Sequence, residues 1–248
     1  MRSLILSFAF LFAFTAQAKI IGSDQLTPSN DAGLNLPPAL FRLVDAMGLL
    51  SMDCTGTHIG RGFVLTAGHC MTDQEKIAYS ENLPCADITI QWGVRGDRRG
   101  LISRCRRIVA LQLDPVLDYA ILQFDRAPQA FVGLELQKEA PYGQPVLTIL
   151  SHADAAPLAW SKFCRRIMMF DPGQPQWGIQ ATNVKGFYHQ CDTLPGSSGA
   201  TILDSRTLKV VAIHNGGSQA YNYATPLRAL PWNRIFTRMN VNPREIPR

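Results

Sequence analysis

A chain of 248 residues, 46% hydrophobic and 17% charged, can bury a sizeable core as one large domain or two small ones, which excludes an intrinsically disordered protein. Its 19 glycines and 16 prolines suit a turn-rich β protein, and its formal charge is +5. Beyond the N-terminal segment, no stretch is apolar enough to cross a bilayer.

Residues 1–18 read as a secretory signal peptide. Arg2 supplies a positive start, residues 4–14 are apolar apart from Ser7, and Ala16-Gln17-Ala18 is a small-x-small cleavage pattern. The run is too short to span about 30 Å of hydrocarbon, and no cysteine follows the cleavage site to carry a lipid. The sequence therefore predicts a secreted or periplasmic protein, free of the membrane once the signal is removed. Six cysteines in an exported chain imply three disulfides, with fifteen pairings open. Cys54, His58, His69 and Cys70 lack the paired close spacings of a structural zinc site, so no metal is expected. No nucleotide or flavin motif is present, and no cofactor is expected.

Residues 19–36 are polar and irregular and read as an arm wrapping the domain. Residues 54–70 read as strand, turn, strand and tight bend, with β-prone Phe63, Val64 and Leu65 bounded by glycines and His69 just beyond. Residues 88–92 and 108–111 read as strands. Beside them Arg95, Arg98, Arg99, Arg104, Arg106 and Arg107 form a basic stretch without aromatic interleaving. It reads as a solvated hairpin, not a nucleic-acid site. Asp118 opens an apolar run, 119–124, whereas Asp114 precedes Pro115 in a turn setting. Residues 125–145 are loop-rich and read as a linker between halves; residues 146–150 open a second set of short strands. Cys164, among Lys162, Arg165 and Arg166, reads as exposed, and 177–184 as a further strand.

The stretch Cys191-Asp192-Thr193-Leu194-Pro195-Gly196-Ser197-Ser198-Gly199-Ala200 carries the chemistry. A serine hydroxyl becomes a nucleophile only when a base takes its proton and donors stabilise the resulting oxyanion. Glycines around a serine allow a sharp turn and bare N–H groups. The amides of Gly196 and Ser198 would converge on one oxygen beside the Ser198 hydroxyl. Ser197 is the rival nucleophile, preceded by glycine but not followed by one. Residues 200–203 and 209–213 then read as a hairpin, and 229–239 as an amphipathic helix with Leu230, Trp232, Ile235 and Phe236 inward.

Leu65-Thr66-Ala67-Gly68-His69-Cys70 resembles the histidine motif of the chymotrypsin/trypsin-like serine peptidases. The serine stretch resembles that family's nucleophile motif in its bacterial secreted form, and Asp118-Tyr119-Ala120-Ile121-Leu122 its aspartate motif, in the chain order His, Asp, Ser. The resemblance implies an all-β fold of two packed six-stranded antiparallel β-barrels with a C-terminal helix. The peptidase domain would be 37–238, with barrels at about 37–130 and 140–228. It implies a catalytic triad of His69, Asp118 and Ser198, with Asp118 favoured over Asp114 because the acid must be shielded from bulk water. It also implies an oxyanion hole of Gly196 and Ser198, and peptide or protein substrates cleaved by a monomer. Cys54–Cys70 is the implied disulfide around the histidine. Cys164–Cys191 would tie down the serine loop, leaving Cys85–Cys105.

Two features depart from the family. Its digestive members carry an aspartate before the nucleophile, which receives a new amino terminus on activation; here that residue is Ser197. Lys19-Ile20-Ile21-Gly22 resembles an activation site without its usual ion-pair partner, so trimming there cannot act through that pair. The implied substrate pocket is walled by His214-Asn215-Gly216-Gly217 and Asn222-Tyr223-Ala224-Thr225. Thr193 and His214 match positions that hold a substrate carboxylate in the bacterial glutamyl endopeptidases, and both side chains can donate to an acid. Asp192 matches the aspartate that attracts Lys or Arg in trypsin-like members. Acidic and basic preferences both stay open, with the acidic one favoured. An inactive homologue acting as a binding protein is the alternative function. A lipase-like esterase is excluded, since Ala200 stands where its nucleophile elbow needs glycine.

Overall fold

The computed structural model describes residues 18–29, 35–85, 87–168, 186–218 and 220–242. The expected signal segment up to residue 17 and the expected strand at 177–184 lie outside them. The chain opens with a short strand, β1 (Thr27–Pro28), and one helical turn, α1 (Pro38–Phe41). Seven strands follow: β2 (Met47–Leu50), β3 (Thr55–His58), β4 (Phe63–Thr66), β5 (Ile77–Leu83), β6 (Thr89–Trp92), β7 (Ile102–Leu113) and β8 (Asp118–Phe124). The order β7-β6-β2-β3-β4-β8 closes through a β7–β8 pairing into a six-stranded antiparallel barrel, with β5 added along β7. Closure is possible because β7 is twelve residues long: Ile102 to Arg104 pair with β6, and from Cys105 onward it pairs with β8.

The second half contains β9 (Leu147–Ser151), β10 (Ala159–Cys164), β11 (Arg166–Ile167), β12 (Phe187–His189), β13 (Thr201–Asp204), β14 (Lys209–Gly217) and β15 (Asn222–Pro226). Where a second closed six-stranded barrel is expected, the described strands form a curled eight-stranded sheet in the order β1-β10-β9-β13-β14-β15-β12-β11. The difference has a local cause. The arm contributes β1 to the outer edge of β10, and among the described strands β11 pairs with β12 alone. The helix α2 (Trp232–Met239), the last element of the described chain, starts three residues later than its sequence pattern suggests, because Leu227–Ala229 is a separate 3-10 turn.

Period-two alternation distributes the apolar side chains between three cores. Val64, Ile90, Leu122 and Phe124 fill the barrel. Ile149, Ile202, Val211 and Ala212 fill the curled sheet. Their neighbours Leu65, Ile121, Leu150, Leu203, Val210 and Ile213 point the other way, into a core that joins the halves. Helix α2 covers that joint core with Trp232, Ile235, Phe236 and Met239, spaced three or four residues apart along one face. The site described next sits on this seam.

Candidate active site

Strand β4 delivers His69 to a 3-10 turn, and the Cys54–Cys70 disulfide ties that turn to the start of β3. Strand β8, paired with β4, begins at Asp118. The Asp118 carboxylate accepts twice from the histidine: Oδ1 from the His69 backbone N–H at 2.9 Å, and Oδ2 from Nδ1 at 2.7 Å. A carboxylate can only accept, so the ring proton lies on Nδ1 and Nε2 keeps its lone pair. Gly68 permits this approach: a Cβ there would lie 2.6 Å from Gln112 O and 3.1 Å from Asp118 Oδ1. The second half grips the Asp118 backbone. Its N–H donates to Thr225 Oγ1 (3.1 Å), and its C=O accepts from Asn215 Nδ2 (2.8 Å). Asp114 is spent elsewhere. Its Oδ1 accepts from Val116 and Leu117 N–H, and its Oδ2 from Gln112 Nε2.

Ser198 lies in the turn before β13. Gly196 and Gly199 adopt φ of +88° and +81°, a region that side chains strain. A Cβ on Gly199 would fall 2.1 Å from Thr66 Oγ1 and 2.5 Å from Thr55 O. The serine turn therefore lies directly on β3 and β4, just upstream of His69. Gly199 N–H donates to His214 O and Thr55 N–H to Ser198 O. No hydrogen bond joins Ser198 to His69 in this structure; such bonds are often long without substrate and tighten when it binds. The amides of Gly196 and Ser198 have no partner among the described residues. Pro195 C=O is held by Asp154 N–H. In a trans peptide the following N–H points the opposite way, so Gly196 N–H faces away from that anchor. Ser197 is fully buried, with Oγ 3.0 Å from Ser151 Oγ and accepting from Leu194 N–H. It faces inward and is not presented as a nucleophile.

Asp192 is buried and already occupied. Oδ1 accepts from Ile21 N–H and Oδ2 from Gln25 N–H, both at 2.8 Å. The arm continues across the expected pocket wall. Lys19 N–H donates to Asn222 Oδ1 at 3.0 Å, while Lys19 O accepts from Asn222 Nδ2 and Thr193 N–H. Asn222 pairs across the sheet with Gly217, and Tyr223 with Gly216. Behind this wall lie two fully buried histidines. Cys191 N–H donates to His189 Nδ1 (3.2 Å), so His189 carries its proton on Nε2. That proton meets His214 Nδ1 at 3.2 Å, which places the His214 proton on its own Nε2. His214 Nε2 has no partner among the described residues. Burial lowers the His189 pKa to about 3. It lowers His214 well below its ordinary value too, helped by the nearby charges of His189 and His69. His214 is therefore a neutral N–H donor.

A model of the trypsin-like peptidase domain matches residues 54–213, the segment that holds His69, Asp118 and Ser198. The chain belongs to the trypsin-like peptidases. It is therefore a peptidase, acting on peptide or protein substrates. Solved structures share the fold at low identity. A Glu endopeptidase in complex with MPD aligns at TM-score 0.61 and 16% identity, covering 89% of this chain and 97% of the other. The protease Rv3671c from M. tuberculosis, in an inactive form, aligns at TM-score 0.53 and 15% identity, covering 86% and 94%. The HtrA-type protease AlgW with tripeptide aligns at 0.51 and 17%, covering 76% and 58%. A comparison with curated protein sequences finds no match.

In this peptidase the cysteines pair as Cys54–Cys70, Cys85–Cys105 and Cys164–Cys191. Cys54, His69 and Cys70 bring ligand-type atoms within 4.8 Å of one another, but both sulfurs are spent in a disulfide and neither is a thiolate. No described helix is long and apolar enough to cross a membrane. Two residues of the peptidase site, His189 and Asn215, have roles that escape a reading of the sequence. His189 and His214 are 25 residues apart and meet only because β12 and β14 both flank β15. Asn215 looks like pocket wall, yet its amide holds the Asp118 backbone.

Proposed function

We propose that this trypsin-like peptidase is an exported serine endopeptidase that cleaves after acidic residues. Export rests on the signal-like residues 1–18 and fits three disulfides, which persist in oxidising compartments. Ser198 Oγ attacks the scissile carbonyl while His69 Nε2 takes its proton. Asp118 holds the ring and stabilises the imidazolium, and the Gly196 and Ser198 amides receive the oxyanion. His69 then protonates the leaving amine, and water releases the acyl-enzyme. The observation that carries the reading is the doubly accepting Asp118 carboxylate, which leaves Nε2 of His69 as a base.

The acidic preference is supported by charge. Asp192, which matches the position that attracts Lys or Arg, is buried with both oxygens occupied by arm amides. The His214 Nε2–H is a buried donor without an acceptor among the described residues, and a substrate carboxylate supplies one. The test is a cleavage-site profile of the purified mature protein on a peptide library, together with labelling by a serine-directed phosphonate. Cleavage after Glu or Asp, and labelling lost in Ser198→Ala, are expected. Preferential cleavage after Arg or Lys overturns the acidic preference. Absence of both cleavage and labelling overturns the peptidase mechanism and favours a binding homologue.

A further inference from the structure

An oxyanion hole works only if its peptide planes are aimed before substrate arrives. In this chain the loop that carries it lacks the aspartate ion pair, since Ser197 occupies that place and bonds to Ser151. Something else must hold the two peptides around Gly196. The Pro195 carbonyl is held by Asp154 N–H, from a turn in which Asp154 and Ala155 both adopt φ of +54°. The Gly196 carbonyl accepts from Thr55 Oγ1 at 2.9 Å, and the same oxygen accepts from His152 N–H at 2.9 Å. Thr55 N–H holds the Ser198 carbonyl at 2.9 Å. The Thr55 carbonyl accepts in turn from Thr66 Oγ1, two residues before Gly68. One fully buried threonine thus bonds the serine turn twice, the strained 152–155 turn once, and the strand leading to His69 once. Gly196 fits only against this arrangement: a Cβ there would lie 2.5 Å from His152 O and 2.7 Å from Ala155 N.

We propose that Thr55 is the positioning residue of the oxyanion hole, its hydroxyl bridging His152 N–H and Gly196 C=O so that the Gly196 N–H stays aimed at the reacting oxygen. The inference rests on the serine-peptidase mechanism above. Thr55 touches no substrate and acts through the loop. Replacing it by valine keeps the shape and leaves both the His152 N–H and the Gly196 C=O unpaired in a buried place. The loop then gains a reason to rotate either peptide. Serine keeps the bridge.

The test compares wild type with T55V, T55A and T55S in the full mature protein, using one good peptide substrate and a peptide aldehyde that mimics the tetrahedral adduct. Removing an oxyanion donor outright costs about 10²–10³-fold in turnover, and misaiming one should cost a part of that. In T55V, kcat should fall by about 10–100-fold with KM within about twofold, and aldehyde affinity should fall in parallel with kcat. T55S should recover most of both. T55A carries the same prediction as T55V if valine does not fold. A T55V or T55A enzyme with kcat and aldehyde affinity near wild type overturns the proposal. So does a loss that T55S shares in full. A wild type that neither cleaves nor reacts with the phosphonate overturns the mechanism itself, a result separable from the others.

Discussion

In the proposed mechanism, the tautomer of one ring decides whether the site can work. His69 donates from Nδ1 to Asp118, so the lone pair of Nε2 is available for the Ser198 proton. Asp118→Asn offers an amide in place of the carboxylate. Its NH₂ can donate to Nδ1 and drive the ring to the other tautomer, with the proton on Nε2. We expect kcat to fall about 10⁴-fold with folding intact, as a wrong tautomer does in such triads. Steady-state kinetics beside circular dichroism checks this; a loss under about tenfold would detach Asp118 from the mechanism. Asp114→Asn serves as the control. Its oxygens serve only its own turn and Gln112, so activity should stay within about twofold. These residues are visible in sequence for a simple reason. His69 and Ser198 sit in short motifs whose glycines are demanded by backbone approach, and Asp118 heads an apolar strand. Thr55 and His189 carry no such mark. Their roles depend on contacts between residues more than twenty positions apart.

At the scale of elements, the arm shows how a polar segment acquires a place. Residues 19–36 read as an irregular wrap, and Thr27–Pro28 does lie along β10. What the composition hides is the grip of Asp192, because the donors are backbone amides of Ile21 and Gln25 with no side-chain signature. A net contribution of roughly 1.5–3 kcal/mol is usual for hydrogen bonds to a charged group. Asp192→Ala should therefore loosen the arm by about 3 kcal/mol and speed amide exchange at Ile21 and Gln25. It should leave the proposed acidic preference in place. Unchanged exchange would mean the carboxylate does not hold the arm, and a new preference would mean Asp192 reads substrate. Strand β7 gives a second case of partial legibility. Only 108–111 reads as strand, since Ile102, Arg104 and Arg106 are exposed on its outer face and break the apolar run. Of the basic stretch, Arg104 and Arg106 are solvated as expected. Arg95 is instead buried on Asp45 at 2.7 Å, and Cys164 is buried in β10, bonded to Cys191 in the core of the curled sheet.

Across the whole molecule, the halves are joined by one apolar core and a set of buried polar groups, and those groups set how the fold responds to acid. His58 donates from Nδ1 to Ala130 O at 2.7 Å and accepts the Gly62 N–H on Nε2, so burial lowers its pKa and protonation would cost it an acceptor. His152 donates to Ala156 O, and burial lowers it to about 4. His189 is committed at both nitrogens and lowered to about 3. Each keeps its proton off in the fold while the unfolded chain takes one up below the ordinary value of 6.5. Stability is therefore full above about pH 6.5, falls as pH drops, and stops falling below each folded pKa. At 1.36 kcal/mol per unit, His152 and His189 should each remove about 2 kcal/mol by pH 5. That is a large part of the 5–15 kcal/mol typical of a domain. The carboxylates with lowered values, Glu81, Asp114, Asp125 and Asp204, act in the same direction, but only around and below their ordinary values of 4.5 for Glu81 and 3.8 for the aspartates. The window from pH 6.5 to 5 thus isolates the histidines. Urea unfolding of the mature protein between pH 7.5 and 5 should show a falling midpoint at constant m-value. A flat midpoint across that window would mean these rings are already protonated, or open to water, in the native state.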